Sequence, residues 1–207
     1  MIEFRIHDIS SDELERRRAI YEPLARSVRA LIDATIRTEV EAEAVAAVTA
    51  EIDAATARLR SRQMDGPYGV RYNADGQGTA SGNAVIGLRN PVAPPLVVEH
   101  DESGKVWADF VLGAAYEGPP GHAHGGVCAL ILDHVLGEAA SGGLTKPSFT
   151  GTISCRYLRA TPLGPLHAEA WVDGAEGVKT YAVGHLADAE GVTVEAEGVF
   201  VVPKWAR

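Results

Sequence analysis

The chemistry of this chain is concentrated in one stretch, Tyr116-Glu117-Gly118-Pro119-Pro120-Gly121-His122-Ala123-His124-Gly125-Gly126, followed after six intervening residues by Asp133. A Gly/Pro loop here feeds a helix whose first turn includes Gly125 and Gly126. The first N–H groups of a helix have no internal partner and lie at the positive end of its dipole. Glycine lets a ligand approach them closely, which makes a site for a developing oxyanion. Asp133 interrupts the most apolar run of the chain, Val127-Cys128-Ala129-Leu130-Ile131-Leu132. Buried carboxylates are rare unless they are paired or functional, so Asp133 is the candidate base or nucleophile. It lies seven residues beyond Gly126, roughly 10 Å along one helix axis, whereas a base must come within about 3 Å of its target. If the two groups act on one carbonyl, they most simply come from two chains. His122 and His124 form an H-x-H pair that a metal site would use, but the same rise places Asp133 too far away to complete it, and no metal is expected.

These residues need elements to position them. Residues 1–64 read as an N-terminal helical extension. Ser10-x-x-Glu13 and Thr38-x-x-Glu41 are capping-box patterns. After the first, Tyr21, Leu24, Val28 and Leu31 recur at helical spacing, and after the second Val45, Val48, Ile52 and Leu59 do so. Simple packing would satisfy both stripes. Pro23 would tighten or kink the first helix. Residues 65–90, rich in Gly, Asn and Ser, read as a linker with short strands at most. Residues 91–207 read as the main domain. Strand-like runs at Leu96–His100 and Val106–Leu112 flank the turn Asp101–Gly104, and the apolar helix follows. Phe149–Leu158, Leu166–Val172, Val178–Leu186 and Val192–Val202 then read as strands, with a turn over Asp173–Gly177. The fold class is therefore α+β, one buried helix surrounded by mostly antiparallel strands.

Composition narrows the function classes. A net charge of −9 argues against a nucleic-acid or membrane-surface binder, since both need a basic face. Hydrophobic residues make up 46% of the chain, enough for a real core. Cys128 and Cys155 do not make a disulfide framework and read as small core residues. With no apolar signal core in the first residues and no membrane-length apolar run, a cytoplasmic location is expected.

The block from Gly118 to Asp133 resembles the acyl-CoA thioesterases of the hotdog superfamily, in particular the PaaI-like group that includes the carboxyl-terminal modulator protein. That group carries a G-P-P-G-x-x-H-G-G loop and a carboxylate nine residues after its His, here His124 and Asp133. Downstream, Thr150 stands seven residues before Tyr157, Tyr157-Leu158-Arg159 is similar to the group's strand end, and Glu176-Gly177-Val178-Lys179 to a turn that helps hold coenzyme A. The resemblance covers roughly residues 90–203.

It implies a hotdog fold, an antiparallel sheet wrapped around a central helix, in a homo-oligomer built as a dimer or a dimer of dimers. The implied reaction is hydrolysis of an acyl-CoA thioester without metal or organic cofactor. In that reading Gly126, and with it Gly125, supplies the oxyanion amide, Asp133 is nucleophile or general base, Thr150 holds the water or orients Asp133, and His124 shapes the loop. Arg156 and Lys179 would hold coenzyme A phosphates, with Arg159 a weaker candidate. Val178 stands where the modulator-like enzymes carry a basic residue, which bears on the phosphate contacts. The alternative reading is a non-catalytic acyl-CoA-binding or regulatory protein on the same fold; the carboxylate at Asp133 favours hydrolysis. A hotdog dehydratase or hydratase would place its acid pair differently.

Overall fold

The computed structural model describes residues 5–6, 9–73, 78–94 and 96–206. The chain forms two compact units, one of Met1–Asn83 with Gly87–Pro91 and one of Ala84–Ile86 with Val92–Arg207. No helix among the described residues is long and apolar enough to cross a membrane.

The first unit holds two long helices and a small sheet. Strand β1 (Arg5–Ile6) precedes helix α1 (Ser11–Arg37) and helix α2 (Ala42–Arg60). Strands β2 (Arg71–Tyr72) and β3 (Gly78–Thr79) follow; β2 pairs parallel with β1 and antiparallel with β3. The Ser10 hydroxyl caps α1 by accepting from the Glu13 amide at 3.3 Å, so the first capping signal acts as expected. Pro23 sits inside α1 without ending it. The second signal acts differently. Thr38 is the C-cap of α1, and α2 begins after Glu41 with no side-chain cap. The Thr38 hydroxyl accepts from Val40, only two residues on, at 3.4 Å, which holds an extended link instead of starting a helix. Of the stripe expected on α1, Tyr21, Val28 and Leu31 are half-buried and Leu24 is exposed, the buried residues being Leu14 and Ala25; no residue of α2 is buried.

The second unit is a six-stranded sheet around one helix. Its strands are β4 (Glu99–His100), β5 (Val106–Leu112), β6 (Phe149–Tyr157), β7 (Gly164–Glu176), β8 (Lys179–Asp188) and β9 (Gly191–Val201). They pair antiparallel throughout, in the order β4-β5-β7-β8-β9-β6. Helix α3 (Gly125–Ala140) runs through the middle and buries Cys128, Ile131, Leu132, Val135, Leu136, Glu138 and Ala139. The sheet offers it a trough of small side chains: one row across five strands reads Val106, Ala170, Gly184, Ala196, Cys155. Large helix residues over small strand residues interlock at close range, as dense cores require. The helix ends in a Schellman motif, with Gly142 (φ 61°) donating to the Ala139 carbonyl and Gly143 to that of Glu138.

The turn expected over Asp173–Gly177 is shorter than its sequence suggests. β7 runs on to Glu176, because a bulge between Val172 and Gly174 absorbs Asp173, leaving Gly177-Val178 as the hairpin tip.

Candidate active site

The loop before α3 is pinned at many points. The Gly121 amide donates to the Glu117 carboxylate at 2.7 Å. The Ala123 amide reaches the Thr161 carbonyl, and the His124 amide that of Tyr116, each at 2.9 Å. The Thr161 hydroxyl is itself buried and donates to that of Thr193 at 2.8 Å. The start of the helix is therefore fixed in place.

His124 is the N-cap of α3 and takes up most of the helix's spare donors. Its Nδ1 accepts from the Gly126 amide at 3.0 Å, so that nitrogen carries no proton and the ring is the Nε2–H tautomer. Its carbonyl accepts from Val127 at 2.8 Å and Cys128 at 3.2 Å. Among the described residues the Gly125 amide has no partner. The assignment by sequence put Gly126 first as oxyanion donor; the structure gives that role's requirement, an open N–H at the positive helix end, to Gly125 instead. His122 is held in the same loop, its Nδ1 lying 2.8 Å from the Pro120 carbonyl. No three described residues of metal-binding type lie close enough to share an ion.

Asp133 lies on α3, eight residues past Gly125, and is only partly buried. Its Oδ1 accepts a hydrogen bond from the Thr150 hydroxyl at 2.8 Å. At the other end of the same strand, the Tyr157 hydroxyl donates to the Gly125 carbonyl at 2.8 Å. Strand β6 thus ties down both groups of interest. Thr150 and Tyr157 are an odd number of residues apart and would face opposite sides of a regular strand. A bulge at Gly151, between Thr150 and Thr152, reverses the alternation, so both side chains reach the helix. Tyr157 was legible only as part of a strand end; its role in holding Gly125 needed the fold. Burial is the largest influence on its phenol and pushes its pKa up, so it remains a neutral donor.

The basic residues are placed less uniformly. Lys179 opens β8 and sits across β9 from β6, in the row Lys179, Val201, Phe149, at the Thr150 end of the sheet. Arg156 points from β6 to the outer face, away from Asp133, and lies 3.8 Å from Glu195. It borders an open concavity of about 450 Å³ with Ser154, Trp171, His185 and Glu197. Arg159 is not free to take a phosphate. Its guanidinium forms a two-pronged pair with Asp188, one prong at 2.8 Å, and also donates to the Gly191 carbonyl at 2.8 Å. Nothing in sequence joins Arg159 to Asp188, 29 positions away on another hairpin.

The hydrogen bond from Arg159 holds the Asp188 carboxyl down to about 2, against an ordinary 3.8. Since the folded pKa is depressed, the pair's stabilisation is fully present above the ordinary carboxylate value and is lost as pH falls through about 2. We therefore expect Arg159→Met to lower the thermal unfolding midpoint at neutral pH while leaving the KM for a coenzyme A ester unchanged; differential scanning calorimetry and steady-state kinetics check the two halves.

Sequence reasoning passed over Glu138, a carboxylate left only 4% exposed. His100 Nε2 lies 3.5 Å and His134 Nε2 3.7 Å from its oxygens, both separations long for hydrogen bonds. The cluster is on the flank of α3 away from Thr150. Burial pushes the Cys128 and Cys155 thiols up, consistent with inert core residues.

Comparison with known proteins places this geometry. The family description "Thioesterase superfamily" matches residues 120–195. A crystal structure of protein RHA08564, a thioesterase superfamily protein, is 34% identical in sequence, superposes with a TM-score of 0.78, and is covered over 90% of its length by 87% of this chain. The chain belongs to the thioesterase superfamily. Within that superfamily it is 32% identical over 98 residues to the human acyl-coenzyme A thioesterase THEM5, a match covering 44% of this chain and 38% of THEM5. The Escherichia coli PaaI protein from the phenylacetic acid degradation operon, 14% identical, gives a TM-score of 0.49 over 53% of this chain and 80% of its own. Membership makes the sheet around α3 a hotdog fold, as expected from the Gly118–Asp133 block.

Proposed function

We propose that this protein hydrolyses acyl-CoA thioesters in sites that straddle a homodimer interface. The observation that carries this reading is the pairing of one open helix-start amide, Gly125, with one hydroxyl-anchored carboxylate, Asp133, both tied to the same edge strand. The Gly125 N–H donates to the carbonyl oxygen of the thioester as negative charge develops on it. Asp133, fixed through Oδ1 by Thr150, keeps Oδ2 for a water molecule, and the Thr150 lone pairs offer that water a second acceptor. Asp133 takes a proton from the water as its oxygen bonds to the thioester carbon. The carbon–sulfur bond then breaks, and the proton passes to the departing thiolate, giving free acid and coenzyme A.

The two groups lie about 12 Å apart along a shared helix axis, too far to act on one carbonyl. Among the described strands β6 is hydrogen-bonded only to β9 and forms one end of the sheet. Such an edge is a template for a second strand. Antiparallel pairing with the same strand of a partner, about a two-fold axis at Ser154 and with Gly151 as the extra residue, sets Thr150 of one copy opposite Tyr157 of the partner subunit. That brings the Asp133 of one subunit to the Gly125 of its mate, twice per dimer. Lys179 is the retained candidate for a coenzyme A phosphate; Arg156 serves only where the ligand reaches the outer face.

The test is a panel of short, medium, long and aromatic acyl-CoA esters, followed with a thiol reagent. We expect release of free coenzyme A. In ¹⁸O-enriched water, a single turnover should label the product acid. Label found first in Asp133 would assign it the nucleophile's part, and tight binding of every ester without thiol release would favour the acyl-CoA-binding alternative.

A further inference from the structure

Helix α2 carries an apolar stripe that the described residues leave partly open, with Ile52 and Ala55 half-buried and Val45, Val48 and Leu59 exposed. None of its residues is buried; Val45, Val48 and Leu59 are 45%, 43% and 54% exposed. In proteins most helical stability comes from packing an amphipathic face against a neighbour. The stripe has the seven-residue repeat of a coiled coil, with Val45, Ile52 and Leu59 at one core position and Val48 and Ala55 at the other. The flanking charges say what fits against it. Glu51 and Arg58 fall on the same flank, one heptad apart, while the other flank carries Thr49 and Thr56.

In a parallel pair, facing flanks would oppose Glu51 to Thr56 and leave the charges unmatched. In an antiparallel pair each flank meets its own copy. Glu51 then faces Arg58 of the partner subunit, and Arg58 faces its Glu51. The same register stacks Val48 on Leu59 of the partner subunit and Ile52 on its Ala55, large against small. We infer that α2 is an interaction surface for a second copy of this chain, pairing antiparallel with its α2 through Val48, Ile52, Ala55 and Leu59, with two Glu51–Arg58 ion pairs setting the direction.

This pairing involves no residue of the proposed active site, so its test reads cross-linking and not activity. The double variant Val48→Cys/Leu59→Cys, whose two positions lie roughly 16 Å apart along one helix and meet only across the pair, should form a disulfide-linked dimer on mild oxidation of the full-length protein. Adding Glu51→Arg sets two arginines against each other and should reduce the linked fraction about fivefold or more, because like charges at facing flank positions act against the pair. Adding Arg58→Glu as well should restore it. Circular dichroism and activity serve as checks that each variant is folded. Absence of the linked dimer in the folded double-cysteine protein, or cross-linking indifferent to both charge changes, would overturn the proposal; the latter would point to another surface as the stripe's cover.

Discussion

Exchanging Asp133 for Asn should lower kcat for the best acyl-CoA ester by about 10²–10⁴-fold, with little change in KM. Asn matches Asp in size, and its amide oxygen can still accept from the Thr150 hydroxyl, now 2.8 Å from Oδ1, so the local structure survives. What is lost is the ability to take a proton from water. Thr150→Val should have a smaller effect in the same direction, since it removes the anchor but leaves the base. A fully active Asp133→Asn protein would show that the carboxylate is a structural anchor of α3 and would remove the basis for its catalytic assignment.

Replacing Gly125 by Pro is the second large effect, expected at about 10²–10³-fold in kcat, the usual loss for one oxyanion donor. The position suits the experiment. Gly125 is the first residue of α3, where proline is well tolerated because the missing N–H has no helical partner. His124 before it has φ −63° and ψ 133°, the extended conformation that a following proline requires. The substitution therefore deletes the open donor with little disturbance of the helix. Gly125→Ala is the control. It retains the N–H but sets a methyl group 3.3 Å from the Tyr157 ring, and should cost much less. Equal losses in the two variants would assign the effect to crowding at Tyr157 and not to the amide.

Much of this site was legible because its signals are local. The Gly/Pro loop, the helix start and an aspartate in an apolar run are all visible within eighteen residues, and the family resemblance they carry implied the hotdog fold. The choice between Gly125 and Gly126 was not legible, because it depends on which way the His124 ring turns. Thr150 was visible by its spacing from Tyr157, but the reason they share a face, the bulge at Gly151, is a property of pairing with β9. The sheet's inner face is hard to read for a different reason. Ala108, Ala168, Ala170, Ala182 and Ala196 are all buried, yet alanine and glycine give little hydrophobic contrast, so the trough that seats α3 emerges only when the strands are in register. Arg159 looked available because its partner lies in a separate hairpin. The stripe on α2 was expected to be satisfied by simple packing, yet no residue of α2 is buried; periodicity shows only that a face wants covering and not what covers it.

The sharing of each site between two chains is tested most directly by mixing Asp133→Asn and Gly125→Pro proteins after dissociation and reassociation. Each variant alone should be nearly inactive. If the oxyanion amide and the base come from different subunits, every mixed dimer holds one site with both groups intact and one with neither. Random exchange makes half the dimers mixed, so the mixture should recover about a quarter of wild-type activity, as two-fold symmetry dictates. If both groups act from one chain, each subunit keeps its own defect. An inactive mixture, with mixed dimers demonstrated by mass spectrometry, would contradict the account.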